Sequence, residues 1–124
     1  MTVALVSLDH VQLAAPKGSE SKAIEFYNGI LGLPVVKRPE TLEKNGGVWF
    51  SNGVINLHIG IEEPFIPAKK AHPAFVVEDL EKTKQILNEK SVPFKEDFLL
   101  PGANRIYVHD PFGNRIELLE WKKK

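Results

Sequence analysis

Apolar and polar residues alternate from residue 8 to residue 14, which is the pattern of a β-strand whose two faces meet different surroundings. Val11 and Leu13 fall on one face of this strand, whereas His10 and Gln12 fall on the other. The pattern therefore predicts a half-buried first strand that carries an imidazole and an amide on its polar face.

A helix is predicted to follow this strand after a polar turn over residues 16–19. Apolar residues recur there at helical spacing, at Ile24, Tyr27, Ile30 and Leu31. Ser19 or Ser21 can act as the N-cap, and Gly32 suits the left-handed conformation that ends many helices. Strands are predicted next over residues 34–37 and 47–61, the second divided by an Asn-Gly hairpin turn.

The second half of the chain repeats this order. Residues 72–77 alternate like a strand, and Asp79 can cap a helix that buries Leu80, Thr83, Ile86 and Leu87. Extended structure is predicted over residues 92–94, because Pro93 blocks continuation of the helix. Two last strands, over residues 105–109 and 115–121, flank a turn of sequence Asp-Pro-Phe-Gly.

Internal duplication is the simplest account of this repeat. His10 and His72 lie 62 residues apart, and the turn residues Gly53 and Gly113 lie 60 apart. The fold is predicted to be α+β, with two tandem modules over residues 1–63 and 71–124, a linker over residues 64–70, and helices on the outer face. Neither module could bury its apolar face well alone, so we expect the two to form one structural domain.

Composition and charge narrow the class of protein. The 124 residues are 43% hydrophobic and carry 16 basic and 16 acidic side chains, so no net field favours nucleic acid or an anionic membrane. There is no cysteine, which excludes thiol chemistry and thiolate metal sites. Neither a signal-peptide pattern nor an apolar run of membrane-spanning length is found, so we expect a cytoplasmic protein.

Strand alternation also predicts a polar face opposite the helices. Its predicted members come from several strands, namely His10, Gln12, Trp49, Asn56, His58, His72, Arg105, Tyr107, His109, Arg115 and Glu117. When two imidazoles and one carboxylate bind a metal ion from one side, the coordination positions on its other side stay open for substrate. His10, His72 and Glu117 are therefore the predicted ligands of a divalent Mn, Fe, Ni, Co or Zn ion, although each alone could be an ordinary hydrogen-bonded strand residue.

Other residues of this face are candidates for catalysis and substrate binding. His58 and Asn56 could complete the metal shell or handle a proton, and Tyr107 could donate a hydrogen bond to a substrate oxygen. Predicted substrate contacts are Trp49, Arg105, Tyr107, Gln12 and Arg115. His109 is interpreted as structural, since it precedes the turn. No phosphate-binding glycine loop or serine nucleophile motif is present.

Four segments carry a family resemblance. These are Leu-Asp-His-Val at residues 8–11, AIEFYNGILGL at 23–33, His-Pro-Ala-Phe at 72–75 and DPFGNRIELLE at 110–120. The chain resembles the vicinal oxygen chelate superfamily, which includes glyoxalase I, fosfomycin-resistance transferases, extradiol dioxygenases and bleomycin-resistance proteins. The resemblance implies two βαβββ modules whose sheets curl around a metal cup, and a homodimer whose cups can combine modules of different chains.

The resemblance also implies site residues and a departure from the family pattern. The family's metal ligands fall on His10, His72 and Glu117. In glyoxalase I a glutamate occupies the position of Asn56, and an amide cannot serve as the base. The leading hypothesis is a metal-dependent, glyoxalase-like enzyme (a lyase, isomerase, transferase or dioxygenase) that stabilises an enolate or oxyanion of a small oxygen-rich molecule. The alternative is a bleomycin-resistance-like protein that sequesters a small molecule without catalysis.

Overall fold

A computed structural model describes residues 1–123 of the chain. The elements of the first half are β1 (Val11–Ala15), α1 (Glu20–Ala23) continued by a π-helical segment (Ile24–Asn28), β2 (Val35–Val36), α2 (Glu40–Glu43), β3 (Val48–Ser51) and β4 (Asn56–Ile61). Those of the second half are β5 (Ala74–Val76), α3 (Leu80–Glu89), β6 (Lys95–Asp97), β7 (Ala103–His109) and β8 (Arg115–Trp121). Within the described part, no helix combines the length and apolar character needed to cross a bilayer.

The strands form two four-stranded mixed sheets with the same topology. Their orders are β1-β4-β3-β2 and β5-β8-β7-β6. In each sheet the first strand of the module runs parallel to the last, and the remaining pairs are antiparallel. The predicted α+β class and the two tandem βαβββ modules are therefore confirmed.

Several predicted strand boundaries differ from the structure for local reasons. β1 begins at Val11 rather than residue 8, because Val11 pairs with Leu57 and β4 begins only one residue earlier. The strand predicted over residues 92–94 lies instead at Lys95–Asp97, since the amide of Val92 still closes the preceding helix on Leu87. β7 also begins two residues before the predicted position, at Ala103.

Only some of the predicted helix-capping interactions are present in the structure. Asp79 caps α3 by accepting a 3.1 Å hydrogen bond from the amide of Lys82, as predicted. Gly32 has a φ of +75°, which confirms its left-handed conformation. Ser19 is not a side-chain cap, because its hydroxyl donates to the carbonyl of Pro16 and only its own carbonyl accepts the first helical bond, from Ala23.

The apolar faces of both sheets belong to one hydrophobic core. Its buried members include side chains of both sheets and of the helices, among them Tyr27, Phe50, Leu57, Ile59, Leu80, Leu87, Ile106, Val108, Ile116 and Leu118. Leu57 and Ile59 of β4, and Ile116 and Leu118 of β8, alternate with polar residues and lie in this core. Because the covered faces share one core, the polar face of each sheet is turned away from it.

Candidate metal and substrate site

His72 and Glu117 form a pair at the start of the second sheet. The amide of Glu117 donates to the carbonyl of Pro73 at 3.0 Å, which aligns the segment before β5 with β8. His72 Nε2 then lies 2.9 Å from Glu117 Oε1, and His72 Nδ1 lies 2.8 Å from the carbonyl oxygen of Lys70. Backbone pairing therefore brings together two residues that are 45 positions apart.

The hydrogen bonds of His72 fix which atom faces the carboxylate. A carbonyl oxygen only accepts, so Nδ1 carries the proton that bonds Lys70. In a neutral ring Nε2 is then a bare acceptor, and it faces another acceptor, the carboxylate of Glu117. This arrangement is satisfied by a proton on Nε2 or by a cation bound to both groups.

Arg105 holds the other oxygen of Glu117. Its guanidinium Nη1 lies 3.5 Å from Glu117 Oε2, while Nη2 and Nε bond Asp97 at 3.1 and 3.2 Å. Glu117 is buried, with 6% of its surface exposed, so an ionised carboxylate there needs these cationic neighbours. Glu117 is thus oriented by the surrounding side chains rather than free to rotate.

Tyr107 is the centre of the remaining polar face of this sheet. It pairs in register with Glu117, and its ring is nearly perpendicular to that of His72, with the ring centroids 5.4 Å apart. The guanidinium of Arg115 lies 3.9 Å from the centroid of the Tyr107 ring. That arrangement is a cation–π contact. The predicted residues Arg105, Tyr107 and Arg115 are therefore all placed around the His72–Glu117 pair.

The first sheet carries a stack of three aromatic rings. The rings of Trp49 and His58 are 3.8 Å apart and nearly parallel, at 2°, and His10 stacks on His58 at 4.2 Å and 20°. Register pairing places Gln12, His58 and Trp49 side by side on β1, β4 and β3. His10 Nδ1 also contacts the carboxylate of Asp9 at 2.8 Å.

This stack has an electrostatic effect on His58. Burial lowers the pKa of the His58 imidazole, nearby His10 lowers it further, and the carboxylate of Asp9 opposes the shift. A lower pKa favours the neutral ring, which can accept a proton near neutral pH. Asn56 differs, because its amide oxygen already accepts a 2.7 Å hydrogen bond from the Ser51 hydroxyl.

The predicted three-ligand set is not assembled within one chain. Among residues 1–123 no group of three His, Asp or Glu side chains is arranged to hold a metal ion. His72 and Glu117 lie together on the second sheet, whereas His10 stacks with His58 on the first. The assignment of His10 as a ligand remains a prediction.

Two features of the structure were not predicted from the sequence. Asp110 is 5% exposed and its side chain, rather than His109, accepts from the turn amides of Phe112 and Asn114. The Asp-Pro-Phe-Gly-Asn sequence could have indicated this role, because aspartate side chains in turns commonly accept hydrogen bonds from nearby backbone amides. Lys69 and Lys95 share a cavity with Tyr107, and this was missed because β6 was predicted too early in the chain.

Paired βαβββ modules with a histidine–glutamate pair on the sheet face opposite the core define a glyoxalase-type fold. Residues 7–118 match the Glyoxalase/Bleomycin resistance protein/Dioxygenase superfamily, and the chain belongs to that family. A solved structure of a glyoxalase family protein from Bacillus anthracis is 45% identical, with a TM-score of 0.94 over 98% of this chain and 100% of that one.

Two further relatives widen the comparison. The Arabidopsis thaliana protein named glyoxylase I 4 is 29% identical over 124 residues, covering 92% of this chain and 70% of its own. The fosfomycin resistance protein FosX from Listeria monocytogenes, solved with Mn(II) and 1S,2S-dihydroxypropylphosphonic acid, is 18% identical with a TM-score of 0.79 over 96% of this chain and 95% of that one. At that identity the likeness to FosX is one of fold.

Proposed function

We propose that the protein is a glyoxalase-like, divalent-metal-dependent enzyme of a vicinal-oxygen-chelate type, acting on a small oxygen-rich molecule. The observation that carries the proposal is His72, whose proton-bearing Nδ1 donates to a backbone carbonyl while Nε2 faces a buried carboxylate. Metal-bound histidines commonly donate their other ring N–H to such a carbonyl, which sets the tautomer that coordinates.

The spacing of the pair also fits a metal ion. Ligand atoms about 2.1 Å from a common ion and roughly at right angles are about 3 Å apart. His72 Nε2 and Glu117 Oε1 are 2.9 Å apart. Nitrogen and oxygen donors suit Mn, Fe, Ni, Co or Zn. FosX, which has a related fold, binds Mn(II).

The third ligand in this proposal is His10 of a second copy. Gln12 of the first sheet lines one cavity with His72 and Arg115, so the two polar faces already adjoin in one chain, and in this proposal a second copy supplies the remaining wall of the cup. Residues ahead of His10 support such an association, because Val3, Leu5, Val6 and Leu8 are each at least 78% exposed. Apolar side chains clustered in this way are typical of a surface that another protein covers.

The chain's own groups then have distinct roles. A bound divalent ion would act as a Lewis acid toward two neighbouring substrate oxygens and stabilise the enolate or oxyanion that develops. Arg105 fixes the Glu117 carboxylate, Tyr107 offers its hydroxyl to substrate, and neutral His58 is available to accept a proton. Asn56 cannot act as a base, and its amide is engaged by Ser51.

Metal analysis of the purified protein tests this function. After metal stripping and incubation with Mn, Fe, Ni, Co or Zn, we expect about one ion per chain, and little in His72→Ala or Glu117→Gln. His109→Ala is the matched control, because it removes an imidazole outside the proposed ligand set. A metal content below about a tenth of an equivalent with every ion would overturn the proposal.

Sequestration without catalysis is the second candidate. It is favoured by the lack of a three-ligand group in the described part of a single chain, together with the aromatic surfaces of Trp49 and Tyr107 on the polar faces. Such surfaces suit an apolar or aromatic ligand. In Trp121→Phe, Trp49 is the one tryptophan left. If this folded variant takes up no metal and its fluorescence is quenched when an aromatic ligand is added, the result would favour this function.

A further inference from the structure

A cationic cavity lies beside Tyr107 on the polar face of the second sheet. Its volume is about 460 Å³, and its charged walls are Lys69 from the segment between the modules, Lys95 from β6 and Arg115 from β8. Phe94 and Tyr107 supply aromatic surface in the same cavity. Three separate parts of the chain thus direct positive charge to one place.

This concentration of charge is local rather than general. The chain as a whole has 16 basic and 16 acidic residues, yet no aspartate or glutamate is among the residues that line the cavity. None of the ion pairs formed within residues 1–123 uses Lys69, Lys95 or Arg115. Lys95 does act on Asp97, whose pKa is lowered mainly by the backbone hydrogen bond from Leu99, then by Arg105 and least by Lys95, but the Asp97 carboxylate is bound to Arg105.

We propose that this cavity binds the oxyanion group of the substrate, and that this group is of the phosphate or phosphonate class. The inference deepens the proposed function and rests on it for the position of the reacting atoms. Three cations match a dianion better than a single carboxylate, and a guanidinium presents paired donors that fit such oxygens. Arg115 is already held over the Tyr107 ring, so less of its freedom is lost on binding.

The cavity lies next to the His72–Glu117 pair. Tyr107 lines the cavity, and its ring packs nearly perpendicular to that of His72, with the ring centroids 5.4 Å apart. If Lys69, Lys95 and Arg115 hold the anionic group of the substrate, the rest of the substrate extends past Tyr107 toward the His72–Glu117 pair. Phe94 and Tyr107 contact the carbon part of the molecule.

Anion binding to the metal-free protein tests this inference. Protein treated with a chelator is titrated at constant ionic strength with methylphosphonate, inorganic phosphate and acetate, and binding is followed by NMR. We expect the first two to bind more tightly than acetate, with shifts at Tyr107. Lys69→Ala, Lys95→Ala and Arg115→Ala should each raise Kd about threefold to tenfold. Lys82→Ala, an exposed lysine on α3, should leave Kd unchanged.

Two controls keep the outcome decisive. Lys95→Arg retains the charge and should bind phosphate like the unmodified chain, and thermal unfolding shows whether each alanine variant is folded.

If acetate binds as tightly as methylphosphonate, or if Lys82→Ala weakens binding as much as the cavity variants, the inference is wrong. Because no metal is present, loss of anion binding with normal metal uptake rejects this inference alone, and the reverse result rejects the metal-dependent function alone.

Discussion

The hydroxyl group of Tyr27 donates a 2.6 Å hydrogen bond to the carboxylate of Asp110, 83 residues further along the chain. Asp110 also accepts from the amides of Phe112 and Asn114, at 2.9 and 2.8 Å, and from the side-chain amide of Asn114 at 2.8 Å. Asn114 reaches back to the carbonyl of Ala14 in β1 at 2.7 Å. This buried cluster ties the helix and first strand of one module to the β7–β8 turn of the other.

Replacing Asp110 should destabilise the protein more than removing the Tyr27 hydroxyl. Asp110→Ala leaves several buried donors without a partner, which we expect to lower the free energy of unfolding by about 3 kcal/mol. Tyr27→Phe leaves the carboxylate with its three remaining donors, so a loss of about 1 kcal/mol is expected. Urea denaturation measures both. Glu89→Ala, an exposed carboxylate on α3, is the control; equal losses for the two cluster variants would contradict this account.

The same cluster predicts that Tyr27 resists ionisation. Burial raises the pKa of Tyr27, and the charge of Asp110 and their hydrogen bond raise it further. The chain has two tyrosines, so in Tyr107→Phe the absorbance of tyrosinate reports on Tyr27 alone. We expect no tyrosinate signal in the folded state near the usual pKa of about 10, and a signal that appears only together with alkaline unfolding.

The thermodynamic sign follows from the raised pKa. Ionisation is favoured in the unfolded chain, so the stability associated with neutral Tyr27 is present below about pH 10 and is lost as the pH rises above it. Tyr27→Phe should therefore show a shallower decrease of stability in alkali. A tyrosinate signal that precedes the loss of circular dichroism would show that Tyr27 is accessible to solvent.

The sequence predicted those parts of the fold that depend on local pattern. The bounds of β8, the cap at Asp79 and the left-handed Gly32 follow from alternation, side-chain capping and backbone freedom, all within a few residues. Alternation also placed His72 and Glu117 on a polar face, and register pairing brings them together.

Features that depend on distant residues could not be predicted in this way. Nothing local to Asp110 shows that Tyr27 will cover it, and a charged residue in a turn is usually exposed. β6 was misplaced because Val92 completes the end of α3 instead of starting a strand. The lysines of the cationic cavity come from two elements whose proximity only the tertiary fold determines.

Histidine titration should distinguish His58 from the other imidazoles. Its ring lies between Trp49 and His10, and burial followed by repulsion from His10 lowers its pKa. NMR of the metal-free protein should show His58 titrating below the usual value of about 6.5. Its contribution to stability is thus present above that pH and is lost on acidification.

Two variants test the cause of that shift. His10→Ala removes the ring that buries part of His58 and the electrostatic repulsion between the two imidazoles, so the pKa of His58 should rise toward its usual value. Asp9→Asn removes the carboxylate that opposes the shift, so the pKa of His58 should fall further. An unchanged His58 titration in both variants would show that neither neighbour controls this imidazole.

Mixed dimers decide whether the metal site is built across two chains. His10→Ala retains His72 and Glu117, whereas Glu117→Gln retains His10. In a cross-chain arrangement a mixed dimer has one site with both changes and one site with all three native ligands. Each variant alone should take up little metal, and the mixed dimer should recover about one ion per two chains. The measurement is metal content of a mixed dimer isolated with two different affinity tags.

A site formed within one chain gives the opposite result. Each chain of the mixed dimer would then lack one ligand, and no uptake would be recovered. His72→Ala mixed with Glu117→Gln is the matched negative control, because the structure places both residues in the same pair on one sheet. In the cross-chain arrangement every site of that dimer lacks one member of the pair, so recovery there would show that His72 and Glu117 of one chain do not bind the same ion.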